Sequence, residues 1–396
     1  MANRDYTAGQ LFEMDACTKC RMCAQVCPAV AASQNGELSA VWRMNALRAI
    51  LQGRGGFLRR LFGNQPPSEE QLKHFSDTVF KCTLCANCEE VCPVGIGLKE
   101  LWLSLRQDMV HSGSYPAKID MIRKNLAGSR NVFAEDNEER AAWVEDMRNA
   151  PDDGLVKDHA EVVYFTGCVA AYFPMAQKIA TSLAEILIAC EVDFTLMGED
   201  EWCCGFPLLG AGLKDQFQEF ARHNMAAVRA RGAKKVVFAC PSCYQAWREH
   251  YPPGIEIAHA SEFLVDLLRE GRVPMKETPL TVTYHDPCDL GRGARVFDAP
   301  REAIQSIPGV RLVELPRNRE DCQCCGGGGN LEMLDAALST EIAKRKIEEV
   351  VSTGAQAVVT SCQQCVRTMN TYVRRNKVSV EVLDLTQLVR KALLTG

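Results

Sequence analysis

Twenty cysteines lie in this chain of 396 residues, and all but Cys190 and Cys322 fall into tight, repeated spacings. Near the N-terminus Cys17-x2-Cys20-x2-Cys23-x3-Cys27-Pro28 is followed by Cys82-x2-Cys85-x2-Cys88-x3-Cys92-Pro93. Thiolates at such spacing are soft, anionic ligands suited to holding iron in a tetrahedral sulfur field. Two residues between ligands let one short loop curl round a metal–sulfur cube, and the proline after the fourth cysteine removes a backbone N–H and fixes the exit of the chain. Zinc sites use four ligands in two pairs, a different pattern. Structural disulfides belong to short secreted scaffolds.

Both runs match the bacterial ferredoxin run, in which three thiolates wrap one cluster and the fourth ligates the other. That rule assigns one [4Fe–4S] cubane to Cys17, Cys20, Cys23 and Cys92, and a second to Cys82, Cys85, Cys88 and Cys27. The segment between the runs carries apolar residues at helical spacing over Val41–Leu51. A further helix is predicted over Glu69–Phe80, so residues 1–111 read as an α-helical dicluster ferredoxin-type module. Between Arg43 and Arg60 stand five arginines and no acid. The stretch reads as a solvated face, with docking to an acidic partner or lipid headgroups as the alternative.

Residues 112–160 turn acidic and are broken by Gly113, Pro116 and Gly128, with a short amphipathic helix near Trp143; they read as a linker. Beyond them the sequence repeats itself. Phe165-Thr166-Gly167-Cys168, Cys203-Cys204-Gly205 and Cys240-Pro241-Ser242-Cys243 recur as His285-Asp286-Pro287-Cys288, Cys324-Cys325-Gly326 and Cys362-Gln363-Gln364-Cys365, at offsets that drift only from 120 to 122 residues. Such self-similarity means duplication. Strands are predicted at 161–165, 192–196, 235–239 and 255–257 in the first copy, and at 280–284, 310–315, 357–360 and 380–382 in the second. Helices intervene, including long ones over 214–231 and 331–352. Alternation of this kind predicts two parallel-sheet α/β lobes, 161–278 and 279–396, with sites at the carboxyl ends of the strands. The fold class is therefore α+β multidomain.

Each lobe offers five motif thiols, one more than a cubane uses, and the adjacent pairs Cys203-Cys204 and Cys324-Cys325 suit a bridging, irregular cluster. Gly205 and the run Gly326–Gly329 permit close backbone approach and positive φ. The glycine run lacks the Lys-Ser/Thr of a phosphate loop. Cys190 reads as a core residue, and Cys322 as a buried bystander with alternative ligation as the other choice. His285 anchors a turn or offers a proton, and Asp286, before a proline, forms a turn.

A formal net charge of −5 excludes a strongly basic nucleic-acid binder. No apolar leader opens the chain and no stretch approaches the ~18 apolar residues of a membrane span. The expectation is a cytoplasmic protein, peripheral to the inner membrane face only through a partner. No flavin or nicotinamide fingerprint occurs, so electrons must come from another subunit.

On these motifs the chain resembles the CCG-domain iron–sulfur oxidoreductases. It is similar to the fused heterodisulfide reductase iron–sulfur subunit and to the iron–sulfur subunits of glycolate and lactate oxidases. The resemblance implies noncubane [4Fe–4S] clusters, one or two in number, with catalytic ligands Cys168, Cys203, Cys204, Cys240 and Cys243 in the first lobe and Cys288, Cys324, Cys325, Cys362 and Cys365 in the second. It further implies an oxidoreductase subunit active within a complex, fed by a flavoprotein and in some relatives tied to a membrane b-type cytochrome. Two roles follow: reduction of a disulfide or other acceptor at the lobes, or conduction of electrons from a hydroxy-acid oxidase or other flavoprotein to quinone or a partner.

Overall fold

The computed structural model describes residues 6–53, 67–147 and 149–394. The chain forms two compact units. The first takes Met1–Ile122 together with two returning segments, Pro207–Lys214 and Gln323–Arg345; the second takes Arg123–Phe206, Asp215–Cys322 and Lys346–Gly396.

In the first unit, helices alternate with cysteine loops. The helix Glu69–Phe80 starts where Ser68 accepts from the Gln71 amide and the Gln71 side chain reaches back to the Ser68 amide. Two orphan donors are satisfied at once by this capping box. Phe75, Val79 and Phe80 turn inward to meet the helix Leu98–His111, which buries Leu101, Trp102 and Leu105. The returning segment 323–345 is part of the same core: Leu331, Leu338 and Ile342 pack with Ala29 and Leu38. Here the glycine run acts as anticipated. Cβ atoms added at Gly328 and Gly329 would lie 2.6 and 2.3 Å from the carbonyl oxygens of Thr83 and Cys82, and Gly329 also has φ +61°.

The second unit holds two four-stranded parallel sheets, ordered β2-β1-β3-β4 and β6-β5-β7-β8. Their strands are β1 (Val162–Phe165), β2 (Phe194–Thr195), β3 (Lys235–Phe238), β4 (Glu256–His259), β5 (Leu280–His285), β6 (Val310–Leu312), β7 (Ala357–Thr360) and β8 (Glu381–Asp384). Every residue of β1 and β7 is buried, as expected for strands covered on both faces. Each lobe ends in a capped helix. His259 caps Ala260–Arg269 and Asp384 caps Leu385–Ala392 through contacts to the amides of Ser261 and Thr386.

Three expectations change. The helix over 331–352 is broken at Asp335, whose backbone leaves the helical region and whose carboxylate accepts from the Leu338 amide, starting the helix Ala336–Ser352 afresh. The segment 112–160 contains the helix Lys118–Ser129 and a 3₁₀ turn, Glu138–Val144, that buries Arg140 and Trp143. Finally, of the arginine-rich stretch, Arg54, Arg59 and Arg60 lie outside the described residues, while Arg43 is buried rather than solvated. Among the described residues no helix is long and apolar enough to cross a membrane.

Candidate metal centres

In the first unit the cysteine runs close around two cavities. One is walled by Cys17, Cys20, Cys23 and Cys92. The other is walled by Cys27, Cys82, Cys85 and Cys88, with Arg43, Lys99 and Trp102. The fourth cysteine of each run thus stands with the first three of the other. The loops curl alike, because Lys19 and Arg21 in the first run and Leu84 and Ala86 in the second all have φ between +55° and +67°. Four non-glycine residues held left-handed at matching positions are strain stored at a functional site. Burial pushes the Cys27 thiol up to about 11, against the pull of Arg43. A soft, all-sulfur donor set held by preformed, strained loops fits an iron–sulfur cluster at both places.

In the first lobe, Cys168 opens a short helix just beyond β1 and Cys240 caps the helix Pro241–His250 just beyond β3. Pro241 at the first helical position costs no hydrogen bond there. Cys203 and Cys204 come from the loop between β2 and β3, and all five thiols are buried. They contact one another in series. Hydrogen bonds from Cys203 and Cys243 pull the Cys204 thiol down to about 6, a bond from Cys243 lowers Cys240, and the same contacts with Cys204 and Cys240, with burial, raise Cys243 well above its ordinary value. Protons shared this way leave when metal binds.

Several side chains hold this arrangement. The Asn224 amide donates to the carbonyls of Trp202 and Cys203 and accepts from the Trp202 amide, while Tyr251 Oη donates to the Cys204 carbonyl at 3.0 Å. The Trp202 ring stacks on His223 under the Arg130 guanidinium. Gly205 has φ +84°, and a Cβ there would lie 2.5 Å from Phe217. Arg140 is 2 % exposed and Glu201 1 %. Arg140 Nη1 donates to Glu201 Oε1 at 2.8 Å, and its two Nη atoms stand 4.0 and 3.8 Å from Cys168 Sγ. Glu201 also accepts from the amides of Thr166 and Gly167 at 2.8 Å each.

The second copy is divided between the units: Cys288, Cys362 and Cys365 belong to the second, Cys324 and Cys325 to the first. Cys324 Sγ accepts from the Gly326 amide and Cys362 Sγ from the Cys365 amide, both at 3.3 Å. Cys322, fully buried, takes the place that Glu201 holds in the first copy. Its Sγ lies 3.4 Å from His285 Nδ1 and 3.7 Å from Lys346 Nζ. Burial pushes this thiol up, but Lys346 and His285 outweigh it and the net direction is down. Asp286 does more than form a turn: Arg301 donates to it at 2.7 and 2.9 Å, and it accepts from the Arg319 amide.

Within the second unit the lobes exchange contacts between motifs. Gln363, from Cys362-Gln363-Gln364-Cys365, donates to the Thr166 carbonyl and accepts from the Ala170 amide beside Cys168. In return Ser242, from Cys240-Pro241-Ser242-Cys243, donates to Asp289 beside Cys288 at 2.7 Å. Sequence reasoning did not single out Arg140, Glu201, Ser242 or Gln363. The last two stood in plain view between motif cysteines; Arg140 lay hidden in an acidic stretch that reads as linker.

Fold and thiol arrangement together define an iron–sulfur oxidoreductase built from a dicluster module and two CCG lobes. The 4Fe-4S dicluster domain family matches residues 13–96, and the CCG cysteine-rich domain family matches 162–247 and 282–370. A subunit of the dihydromethanophenazine:CoB–CoM heterodisulfide reductase of Methanosarcina mazei is 37% identical over 98% of this chain and 96% of its own length. Its counterpart in Methanosarcina barkeri is 36% identical over the same shares. The EtfAB:quinone oxidoreductase of Syntrophomonas wolfei is 25% identical over 98% of this chain, which spans 59% of that protein. The chain belongs to the family of these heterodisulfide reductase polypeptides, as an iron–sulfur electron-transfer subunit.

Proposed function

We propose that the chain passes electrons from a donor subunit through two cubane [4Fe–4S] centres, on Cys17, Cys20, Cys23 and Cys92 and on Cys27, Cys82, Cys85 and Cys88, to one or two noncubane centres where a disulfide is reduced. In this reading residues 1–111 are the relay, 112–160 join it to the lobes, and 161–278 and 279–396 are the reacting lobes. The observation that carries it is the convergence of Cys168, Cys203, Cys204, Cys240 and Cys243, one thiol more than a cube takes up. Bound clusters supply one-electron storage. The chain's residues position it: Asn224 and Tyr251 fix the Cys203-Cys204 backbone, Arg140 orients Cys168, and Gln363 and Ser242 tie each Cys-x-x-Cys motif to the opposite lobe. Splitting one disulfide into two thiols consumes two electrons and two protons; in this reading a flavoprotein or a membrane b-type cytochrome supplies the electrons. The heterodisulfide reductase relatives support this acceptor.

A second reading, conduction from a flavoprotein to quinone, is favoured by the Syntrophomonas relative. Both place the chain at the inner membrane face or in the cytoplasm through its partners. The test is anaerobic reconstitution followed by dye-driven reduction of a disulfide and, separately, of a quinone. Four four-iron centres would contain about sixteen irons. Cys204→Ala and Cys325→Ala should each alter the spectrum of the oxidised centres and stop disulfide reduction; untouched spectra and turnover in both refute the proposal. Quinone reduction without disulfide reduction selects the second reading.

A further inference from the structure

Arg106, on the helix Leu98–His111, is fully buried. Its guanidinium donates only to backbone carbonyls: Nη1 to Gly210 and Gly329 at 2.6 and 2.9 Å, Nη2 to Cys82, Val79 and Phe80 at 2.7, 3.2 and 3.4 Å. Among the described residues its Nε has no hydrogen-bond partner. Among the described residues no carboxylate pairs with it. Burial drags its pKa down to about 10, and the charged groups it faces are the Cys82 thiol and a second guanidinium, Arg43. Arg43 is equally hidden. Among the described residues it donates through Nε and Nη2 to the Thr78 carbonyl alone, and it lies over the Trp102 ring and lines the cavity of Cys27, Cys82, Cys85 and Cys88. The other cation on that wall, Lys99, is drawn toward Glu89.

Carbonyls satisfy donors but do not neutralise a charge. Two like charges sharing a buried region with no acid between them oppose folding, because the desolvation of each is uncompensated and they repel. An anion therefore belongs in the cavity that Arg43 lines and whose Cys82 carbonyl Arg106 grips at 2.7 Å, and four thiolates around an iron–sulfur core supply a net negative charge. The other cavity is arranged differently. Its cations, Lys19 and Arg21, are exposed, as is Cys20, and exposed charges are screened by water and salt.

We infer that Arg106, with Arg43, is the buried counter-ion of the centre on Cys27, Cys82, Cys85 and Cys88, and that it raises the reduction potential of that centre enough to make it the electron acceptor of the pair. Burial alone would push that potential down, since added negative charge is poorly solvated there; the two guanidiniums reverse the order. The exposed centre on Cys17, Cys20, Cys23 and Cys92 is then the port of entry. Arg106 also grips the carbonyls of Gly210 and Gly329, so the group that sets the potential also anchors both returning segments of the first unit. The inference rests on the two-cubane reading above.

The test uses the full chain, reconstituted without air and titrated with mediators while the reduced centres are followed by electron paramagnetic resonance. The exposed centre is told apart by its response to a soluble paramagnetic relaxant. In Arg106→Gln the buried centre should show at least a tenfold lower reduced-to-oxidised ratio at fixed potential, about 59 mV for a one-electron couple, with the exposed centre unmoved. Arg106→Lys, which keeps the charge and loses most of the carbonyl bonds, should stay within a few-fold of the wild type. Should Arg106→Gln fail to load, Arg43→Gln, which gives up a single carbonyl partner, must shift the same centre in the same direction. Both centres present with unmoved potentials in the neutral variants overturns the inference and leaves the two-cubane reading standing. Absence of either centre from the wild type defeats the reading itself.

Discussion

Gly329→Ala is a stringent test of how the second copy's glycine run meets the dicluster module. The added Cβ would stand 2.3 Å from the Cys82 carbonyl oxygen and 2.8 Å from the Thr83 carbonyl carbon, both backbone atoms of a cysteine loop. Neither can swing aside as a side chain would. The left-handed backbone at φ +61° costs an alanine about 1 kcal/mol. Moving residue 329 away also weakens the bond from Arg106 Nη1 to its carbonyl, a charge-assisted contact worth about 1.5–3 kcal/mol. With residual overlap the loss should reach about 4 kcal/mol, in the range reserved for core disruption. At roughly 2–4 °C per kcal/mol, the first melting transition of the reconstituted protein should fall by about 8–16 °C, with iron lost earlier on heating. Gly354→Ala is the control. Its φ is +69° but a Cβ there meets nothing within 4 Å, so only the backbone cost of about 1 kcal/mol remains. Equal melting losses for the two variants would refute the close-approach argument and leave backbone strain as the whole effect.

Arg140→Met should cost about 3–5 kcal/mol in urea unfolding, because it strands the buried Glu201 carboxylate; adding Glu201→Gln should recover part of that loss, and simple additivity would show that the pair does not act as a unit. Arg301→Met should behave alike through Asp286, its partner at 2.7 Å, and a loss under about 1 kcal/mol would place that ion pair among weak surface contacts. Burial depresses His259 to about 3, so the folded chain stays unprotonated there while the unfolded chain takes up a proton below about 6.5. The corresponding stability is fully present above pH 6.5 and is lost on acidification, by about 2 kcal/mol at pH 5. His259→Asn, which keeps a helix cap, should flatten this part of the stability–pH curve; an unchanged slope would clear His259 of the effect.

The two CCG lobes are legible in the sequence because duplication and buried apolar strands both leave local marks, and β3, β5 and β7 fall at the positions those marks predict. Helices that begin inside a motif, such as Pro241–His250 and Gln363–Asn376, are hidden because cysteines and prolines obscure the apolar spacing that follows. Asp335 breaks a helix by using its own carboxylate as a cap, an effect invisible to periodicity. Arg43, Arg106 and Arg140 escape for a common reason. A buried cation looks like any surface cation until its surroundings are known, and composition places arginine on the outside. The cysteine spacings are legible in the sequence, whereas the arginines buried around them are not.

The first unit is completed only by residues 323–345, more than two hundred positions after its last N-terminal helix. A ribosome making this protein must therefore extend most of the polypeptide before Gly328 and Gly329 can pack against the backbone of the Cys82–Thr83 loop. Contacts of such long sequence separation form slowly, since distant segments must meet before any gain is realised. Iron inserted during synthesis would meet a cysteine loop not yet braced by that segment. Bracing of the Cys82 loop is in this way deferred until translation is nearly over, and a message truncated before residue 323 would leave that loop without it.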